Sequence, residues 1–271
     1  MRRILPGLGI LLLAVCLCRG AAWSEEAAVN VPVLAYHRFG PAVTDSMTVT
    51  TTVFESQLKW LADNQYKVIP LRALVDRLRG EGPPLPPKSV VITVDDGHGS
   101  VYCDMAPIVR KLGIPVTLFI YPSAISNASY AMTREQLQEL RETGLFDVQS
   151  HTYWHPNFKK EREKLSPDAC RKFVETQLQK SKNVLEKWFG GRVDLLAWPF
   201  GIYDDSLERD AEKAGYAAAF SIDRRHVSAS EEMMALPRYL MANGDGTKGF
   251  EAIVTGRAAE KAPAPHRRSG P

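Results

Sequence analysis

Short apolar runs alternate with amphipathic stretches along most of the chain. The β-branched run from Ser89 to Val94 predicts a buried strand, whereas Phe54, Leu58 and Leu61 recur at the spacing of one helix face. We predict strands at residues 31–36, 67–70, 89–94, 116–121, 146–150, 195–198, 217–222 and 235–240. We predict helices at residues 54–64, 71–79, 105–112, 133–143, 167–189, 206–214 and 250–255.

Seven or eight such alternations predict an α/β fold with a parallel sheet, in the form of a single (β/α) barrel that is closed or incomplete. Polar or unusual residues stand at the carboxyl ends of the predicted strands: His37, Asp95, Asp96, His151 and Pro199. Because the carboxyl ends of parallel strands meet at one end of a barrel, we expect these side chains to form one site.

The two ends of the chain differ in composition from the part between them. Arg2 and Arg3 precede an apolar stretch at residues 8–17 and small residues at 20–22, so residues 1–24 are predicted to be a secretory signal peptide. An uncleaved anchor is the alternative. Residues 25–256 are predicted to be the catalytic domain and residues 257–271 a disordered basic tail. Cleavage would leave no membrane span, and the protein would be secreted or periplasmic.

Charge argues against a nucleic-acid partner. Residues 1–24 hold three arginines and no acidic residue, so cleavage would lower Lys+Arg from 34 to 31, against 31 Asp+Glu. A neutral chain lacks the concentrated basic surface that nucleic acids require, and the sequence identifies no protein partner. Cys103 and Cys170 would remain, in or next to predicted helical stretches, and we expect buried thiols in preference to a disulfide.

The strongest chemical signal is Asp95-Asp96-Gly97 followed by His151-x-x-x-His155. One Asp and two His can bind a divalent metal and leave coordination positions open. The second Asp is then free to act as a base on water. Each motif alone has a simpler explanation, because Asp-Asp-Gly is typical of turns and His pairs occur on helix surfaces. Together they indicate a metal-assisted hydrolase.

Three motifs resemble those of carbohydrate esterase family 4 polysaccharide deacetylases: Thr93–Gly97, His151–His155 and Trp198–Gly201. The stretches Val33–His37, Phe54–Leu61 and Leu236–Arg238 are similar to a rearranged branch of that family that deacetylates poly-β-1,6-N-acetylglucosamine. The resemblance covers roughly residues 30–240. It implies a (β/α) barrel enzyme that removes N-acetyl groups from a polysaccharide and releases acetate.

The resemblance also implies roles for single residues. The metal ligands would be Asp96, His151 and His155, holding zinc, nickel, cobalt or iron. Asp95 would be the general base, His37 the general acid, and the backbone N–H of Phe200 a donor to the oxyanion. The arginine that begins the third motif in the family is replaced by Ala197, and Arg238 or Arg38 could pair with the base instead.

Several alternatives remain open from the sequence. The same groups could serve an O-acetyl esterase acting on a xylan-like glycan, a non-haem iron oxygenase, or a catalytically silent glycan-binding module. His98 and His226 match no family motif and are expected to be structural or at the rim of the site. Trp198 and Tyr153 could stack on sugar rings, and Trp198 fits the core equally well.

Overall fold

The structure is a computed structural model that describes residues 29–257. The predicted signal peptide and all but the first residue of the predicted tail lie outside these residues. Between residues 29 and 257, no helix combines the length and the hydropathy needed to cross a membrane.

The strands are short and spread over the whole described chain. They are β1 (Asn30–Val31), β2 (Val33–Tyr36), β3 (Arg38–Gly40), β4 (Thr48–Thr50), β5 (Lys67–Val68), β6 (Ser89–Asp95), β7 (Val116–Ile120), β8 (Phe146–Ser150), β9 (Leu195–Ala197), β10 (Ala218–Phe220), β11 (Val227–Ser228) and β12 (Tyr239–Leu240).

The α-helices alternate with these strands. They are α1 (Thr51–Asp63), α2 (Leu71–Leu78), α3 (Ala106–Leu112), α4 (Arg134–Glu142), α5 (Phe158–Arg162), α6 (Pro167–Glu175), α7 (Ser181–Phe189), α8 (Asp205–Lys213) and α9 (Gly246–Val254). A π-helical turn at Val101–Met105 leads into α3, and another at Thr176–Lys180 joins α6 to α7. Short 3₁₀ turns cover Pro199–Gly201 and Asn243–Asp245.

The main sheet has the strand order β10-β9-β8-β7-β6-β2-β12, with β5 paired to β6 beside this path. Every pair along the path is parallel. The sheet curls, and Leu236 forms a parallel bridge to Phe220 of β10, so the segment that leads into β12 reaches the opposite edge. These strands, with their covering helices, confirm the predicted barrel-like α/β fold.

Alternation along the strands explains how the sheet is covered on both faces. Val91 and Phe119 belong to one buried cluster, whereas the adjacent Ile92 and Leu118 belong to another. Successive strand residues point to opposite faces, so an uninterrupted apolar run fills both. The second cluster packs the sheet against α1, α3 and α4.

Most predicted elements are confirmed, with different bounds. The capping box at Thr133 and Gln136 begins α4 as predicted. The last helix begins at Gly246, four residues before the predicted start. The predicted strand at 235–240 is reduced to Tyr239–Leu240 and the bridge at Leu236, because Pro237 has no N–H to donate to a ladder.

One prediction about the cysteines is wrong. Cys103 is exposed and Cys170 is half-buried, although the sequence favours buried thiols. Cys103 lies on the π-helical turn that precedes α3, where Val101 and Met105 face the core and Cys103 faces outward. Both thiols are free, so no bridge joins them.

Candidate active site

The carboxyl ends of β2, β6 and β8 bring the predicted side chains to one end of the sheet. His37 follows β2, Asp95 ends β6 and Asp96 follows it, and His151 follows β8. Since β2, β6, β7 and β8 are parallel neighbours in that order, these side chains emerge on the same side. His155 joins them from the loop after β8.

Asp96, His151 and His155 form a cluster suited to a metal ion. Their potential ligand atoms all lie within 4.8 Å of one another. The Nε2 atoms of both histidines are 3.6 Å from Asp96 Oδ1. That oxygen is buried and has no hydrogen-bond partner within the described residues. A buried carboxylate oxygen without a donor is costly, and a bound cation would relieve that cost. The residues present therefore fit a divalent metal.

Backbone contacts set the orientation of the His151 ring. Its Nδ1 is 2.8 Å from the carbonyl oxygen of Ala197. A carbonyl accepts only, so Nδ1 carries the proton and Nε2 is left as the lone-pair nitrogen that faces Asp96. The backbone of Ala197 thus takes part in the site.

His155 is held in the neutral form that metals require. Burial, and then the charge of His151, lowers the pKa of His155 to about 4. Its ring packs edge-to-face on the Phe200 ring at 4.5 Å between centroids. Because a neutral imidazole is the ligand form, the site is prepared for a metal at neutral pH.

Asp95 is fully paired with Arg238. The Nη1 and Nη2 atoms of Arg238 each donate to one Asp95 oxygen at 2.8 Å. Arg238 is itself fully buried, and its Nε donates to the carbonyl of Ser221 at 3.1 Å. Arg38, the other sequence candidate, pairs with Asp45 instead. Of the two arginines, Arg238 is therefore the one that contacts the predicted base.

This ion pair fixes the charge of Asp95. Burial alone would raise the pKa of the carboxyl, but the Arg238 guanidinium outweighs it, and the pKa is held well below its usual range. Asp95 Oδ2 also lies 3.9 Å from His151 Nε2. An ionised carboxylate thus stands beside the metal-ligand cluster.

His37 is largely buried next to the same carboxylates. Burial lowers the pKa of its imidazole, against the opposing charges of Asp95 and Asp96. Its Nδ1 is buried without a hydrogen-bond partner among the described residues. Burial therefore favours the neutral form of the ring.

Left-handed backbone is concentrated at this site. Asp96, Thr152, His155 and Phe200 have φ values of 75°, 64°, 61° and 57°. Residues other than glycine rarely adopt this region, and each instance costs on the order of 1–3 kcal/mol. The described chain has only three further cases, at Gln65, Lys88 and Ser126. Strained backbone is therefore concentrated at the predicted metal ligands and the predicted oxyanion donor.

The turn that carries Phe200 depends on Gly201. Gly201 has φ +65°, and a Cβ there would lie 2.4 Å from Ile222 Cγ1. Gly201→Ala should therefore lower the free energy of unfolding by more than the roughly 1–2 kcal/mol that left-handed backbone costs a residue with a Cβ. Gly215→Ala is the matched control, since Gly215 has φ +83° and open space around it. Urea unfolding of both variants measures the difference, and equal losses would contradict a steric role for Gly201.

The π-helical turn between α6 and α7, together with the start of α7, supports the loop that carries His151 and His155. This support was not predicted from the sequence. Gln177 Oε1 accepts from the N–H of Trp154 at 3.1 Å. Ser181 Oγ lies 2.8 Å from Ser150 Oγ, directly before His151. Gln177 is almost fully buried. A polar residue on the buried side of the predicted helix was the only sign in the sequence that this helix supports the loop.

The remaining histidines and aromatic residues lie in different places. His226 is structural, with Nδ1 at 2.9 Å from Asn30 Oδ1 and Nε2 at 2.8 Å from the Ile253 carbonyl. His98 lies at the rim, next to the Asp95-Asp96 loop. Trp198 belongs to the core, and its Nε1 donates to the Met234 carbonyl. Tyr153 is half-buried, with Lys180 Nζ 3.9 Å from its ring centroid.

Comparison with known proteins places this geometry in a family. Residues 82–219, just over half of the chain, match the family described as polysaccharide deacetylase. The chain is 28% identical to the Bacillus subtilis protein YxkH over 235 residues, which cover 86% of this chain and 80% of that protein. It is also 28% identical to the poly-β-1,6-N-acetyl-D-glucosamine N-deacetylase of Staphylococcus epidermidis over 211 residues, 76% of this chain and 71% of that one.

Solved structures share the fold. The Streptococcus pyogenes deacetylase PplD, solved with acetate, aligns with a TM-score of 0.74 at 23% identity, over 84% of this chain and 99% of that chain. IcaB from Ammonifex degensii aligns with a TM-score of 0.72 at 22% identity, over 84% and 96% of the two chains. On the strength of the matched sequence and this shared fold, the chain belongs to the polysaccharide deacetylase family.

Proposed function

We propose that this deacetylase removes N-acetyl groups from an N-acetylglucosamine polymer in a metal-dependent reaction, with poly-β-1,6-N-acetylglucosamine as the first-choice substrate. The observation that carries the proposal is an ionised carboxylate, Asp95, placed 3.9 Å from a nitrogen of the metal-ligand cluster. The activity named for the Staphylococcus epidermidis relative supports the choice of polymer.

Asp96, His151 and His155 would hold the metal, and zinc, nickel, cobalt or iron all accept this set. A bound divalent metal supplies Lewis acidity, which polarises a carbonyl and makes water nucleophilic near neutral pH. Asp95 would remove the proton from the attacking water. Both Asp95 oxygens accept from Arg238, and each keeps a lone pair for this transfer.

The leaving amine must be protonated before it departs, and His37 would supply that proton. Burial favours the neutral imidazole, and the charges of Asp95 and Asp96 oppose that effect, so the ring would accept a proton and pass it to the amine. The backbone N–H of Phe200 would stabilise the developing oxyanion; one such donor contributes about 10²- to 10³-fold in rate. The contact between the Phe200 and His155 rings, 4.5 Å between centroids, supports a place for this residue beside the cluster.

A polymeric substrate also fits the proposed location. We place the protein outside the cytoplasm, secreted or periplasmic, after cleavage of residues 1–24. Activity of a culture medium or periplasmic fraction, compared with that of the cytoplasm, tests this part.

Acetate release is the direct test of the reaction. The protein should release acetate from β-1,6-linked N-acetylglucosamine pentamers, lose this activity with a chelator, and recover it when a divalent metal is added back. Release from β-1,4-linked pentamers alone would keep the reaction and change the substrate.

If the metal-loaded protein released no acetate from either pentamer, the proposal would be overturned. Release of acetate from O-acetylated xylan would then favour the esterase, and glycan binding without any release would favour the silent binding module.

A further inference from the structure

Three of the large apolar side chains that are exposed in residues 29–257 lie around the candidate site. Phe200 is 56%, Tyr130 44% and Trp154 42% exposed. Trp154 lies between the two histidine ligands in sequence, and the Phe200 ring contacts His155. Exposed aromatic rings beside a polar site are characteristic of ligand contact surfaces.

Tyr130 is connected to the same cluster from the other direction. Its hydroxyl lies 2.5 Å from the hydroxyl of Tyr121, the first residue after β7. The Tyr121 ring lies 5.3 Å from the His155 ring between centroids. Tyr130 is thus one side chain removed from the metal-ligand cluster.

Sheet order places Tyr121 and Phe200 on opposite sides of the two histidines of this cluster. Tyr121 follows β7, the histidines follow β8, and Phe200 follows β9, and these three strands are consecutive neighbours. Strands two positions apart are separated by about 10 Å. That span exceeds the width of one sugar ring, so a single sugar in the site leaves room for neighbours at either ring.

The Tyr130 ring is fixed before any ligand arrives. Its inner face stacks on His98, with the ring planes 12° apart and the centroids 6.1 Å apart. The Tyr130 carbonyl accepts from the N–H of Gly99 at 2.7 Å, and the Gly97 carbonyl accepts from the N–H of Met132 at 2.9 Å. The loop is therefore attached at Tyr130 and again at Met132 to the loop that carries Asp96. A preorganised ring binds without a large loss of entropy.

We propose that Tyr130, supported by His98, is a stacking platform for a sugar that neighbours the one being deacetylated, with Phe200 contacting the chain on the other side of the two histidines. This rests on the proposed function and extends it. Pyranose rings have an apolar C–H face that packs on aromatic rings. The site then recognises a stretch of polymer and prefers oligomers longer than the dimer.

Kinetics on β-1,6-linked N-acetylglucosamine oligomers of two to six units test the platform. For the unmodified protein, kcat/KM should rise with length. Tyr130→Ala and Tyr130→Leu should raise KM for the pentamer by about 2- to 10-fold, the range expected for an aromatic contact, and flatten the length dependence. Tyr130→Phe should keep the length dependence of the unmodified protein. Leu112→Ala is the control, since Leu112 is 51% exposed and ends the helix that leads to the amino end of β7.

The outcomes separate the two proposals. No acetate from any oligomer with the unmodified protein would overturn the proposed function and this inference with it. Release with unchanged length dependence in both Tyr130→Ala and Tyr130→Leu would overturn the platform alone. An equal loss in Tyr130→Phe would assign the effect to the hydroxyl pair with Tyr121 and also overturn stacking. Thermal melting of each variant identifies a folding defect, and Tyr130→Leu retains apolar bulk if alanine unfolds the loop.

Discussion

Asp95→Asn is expected to lower kcat by about 10²- to 10⁴-fold while the protein keeps its metal. Asparagine cannot take a proton from water, whereas Asp96, His151 and His155 remain in place to bind the ion. Acetate release and metal content, measured on the same sample, check both parts. His151→Ala is the matched control and should lose the metal together with the activity. An active Asp95→Asn would overturn the assignment of the base.

Loss of stability has to be separated from loss of chemistry in that variant. Asp95→Asn leaves the buried Arg238 charge without its carboxylate. The double variant Asp95→Asn, Arg238→Met removes both charges and should regain part of the stability, because no unpaired charge is then left buried. It should remain inactive. Recovery of activity in the double variant would show that the single variant failed through misfolding.

Arg238→Met is expected to lower the free energy of unfolding by about 3–5 kcal/mol, since it leaves a buried carboxylate unpaired. Arg238 and Asp95 side chains are 0% and 3% exposed, so solvent screens the pair little. Arg38→Met is the matched control. The Arg38 and Asp45 side chains are 37% and 33% exposed, and surface pairs contribute about 0–1 kcal/mol. Urea unfolding at neutral pH measures both, and equal losses would contradict the buried role of Arg238.

The same variant should change the pH dependence, with a sign fixed by the ion pair. In the wild-type protein the pKa of Asp95 is depressed, so the pair stabilises the fold above the unfolded value of about 3.9 and this contribution is lost as pH falls through the lower folded pKa. Without Arg238, burial raises the pKa instead. The acid limb of kcat/KM should therefore move to higher pH in Arg238→Met. An unchanged profile would show that Arg238 does not act through Asp95.

Sequence patterns predicted the fold well where a single segment determines its own structure. The apolar run of β6 and the capping box of α4 each depend on local residues only, and both are confirmed. The five-residue helix α5 and the pair of three-residue strands β3 and β4 were not predicted. Such short elements give too few residues for a period to show, and tertiary contacts stabilise them.

The candidate site, like the fold, could be predicted only in part from the sequence. Strand-end positions alone were enough to predict that Asp96 and His151 meet at one end of the barrel, because parallel strands share that end. The choice between Arg238 and Arg38 was beyond sequence, since it depends on a contact across 143 residues. The stacking of Tyr130 on His98 was equally invisible, because it requires two loops to be joined through backbone hydrogen bonds.

The distance in sequence between Asp95 and Arg238 has a consequence for biosynthesis. A ribosome completes β6 well before it adds the last strand of the sheet, and domains generally fold as units. Until that strand docks, the carboxylate lacks its guanidinium, and enclosing the bare charge would cost several kcal/mol. We therefore expect a nascent chain to keep this end of β6 hydrated. The enzyme would then complete the buried pair of Asp95 and Arg238 only in the final closing step.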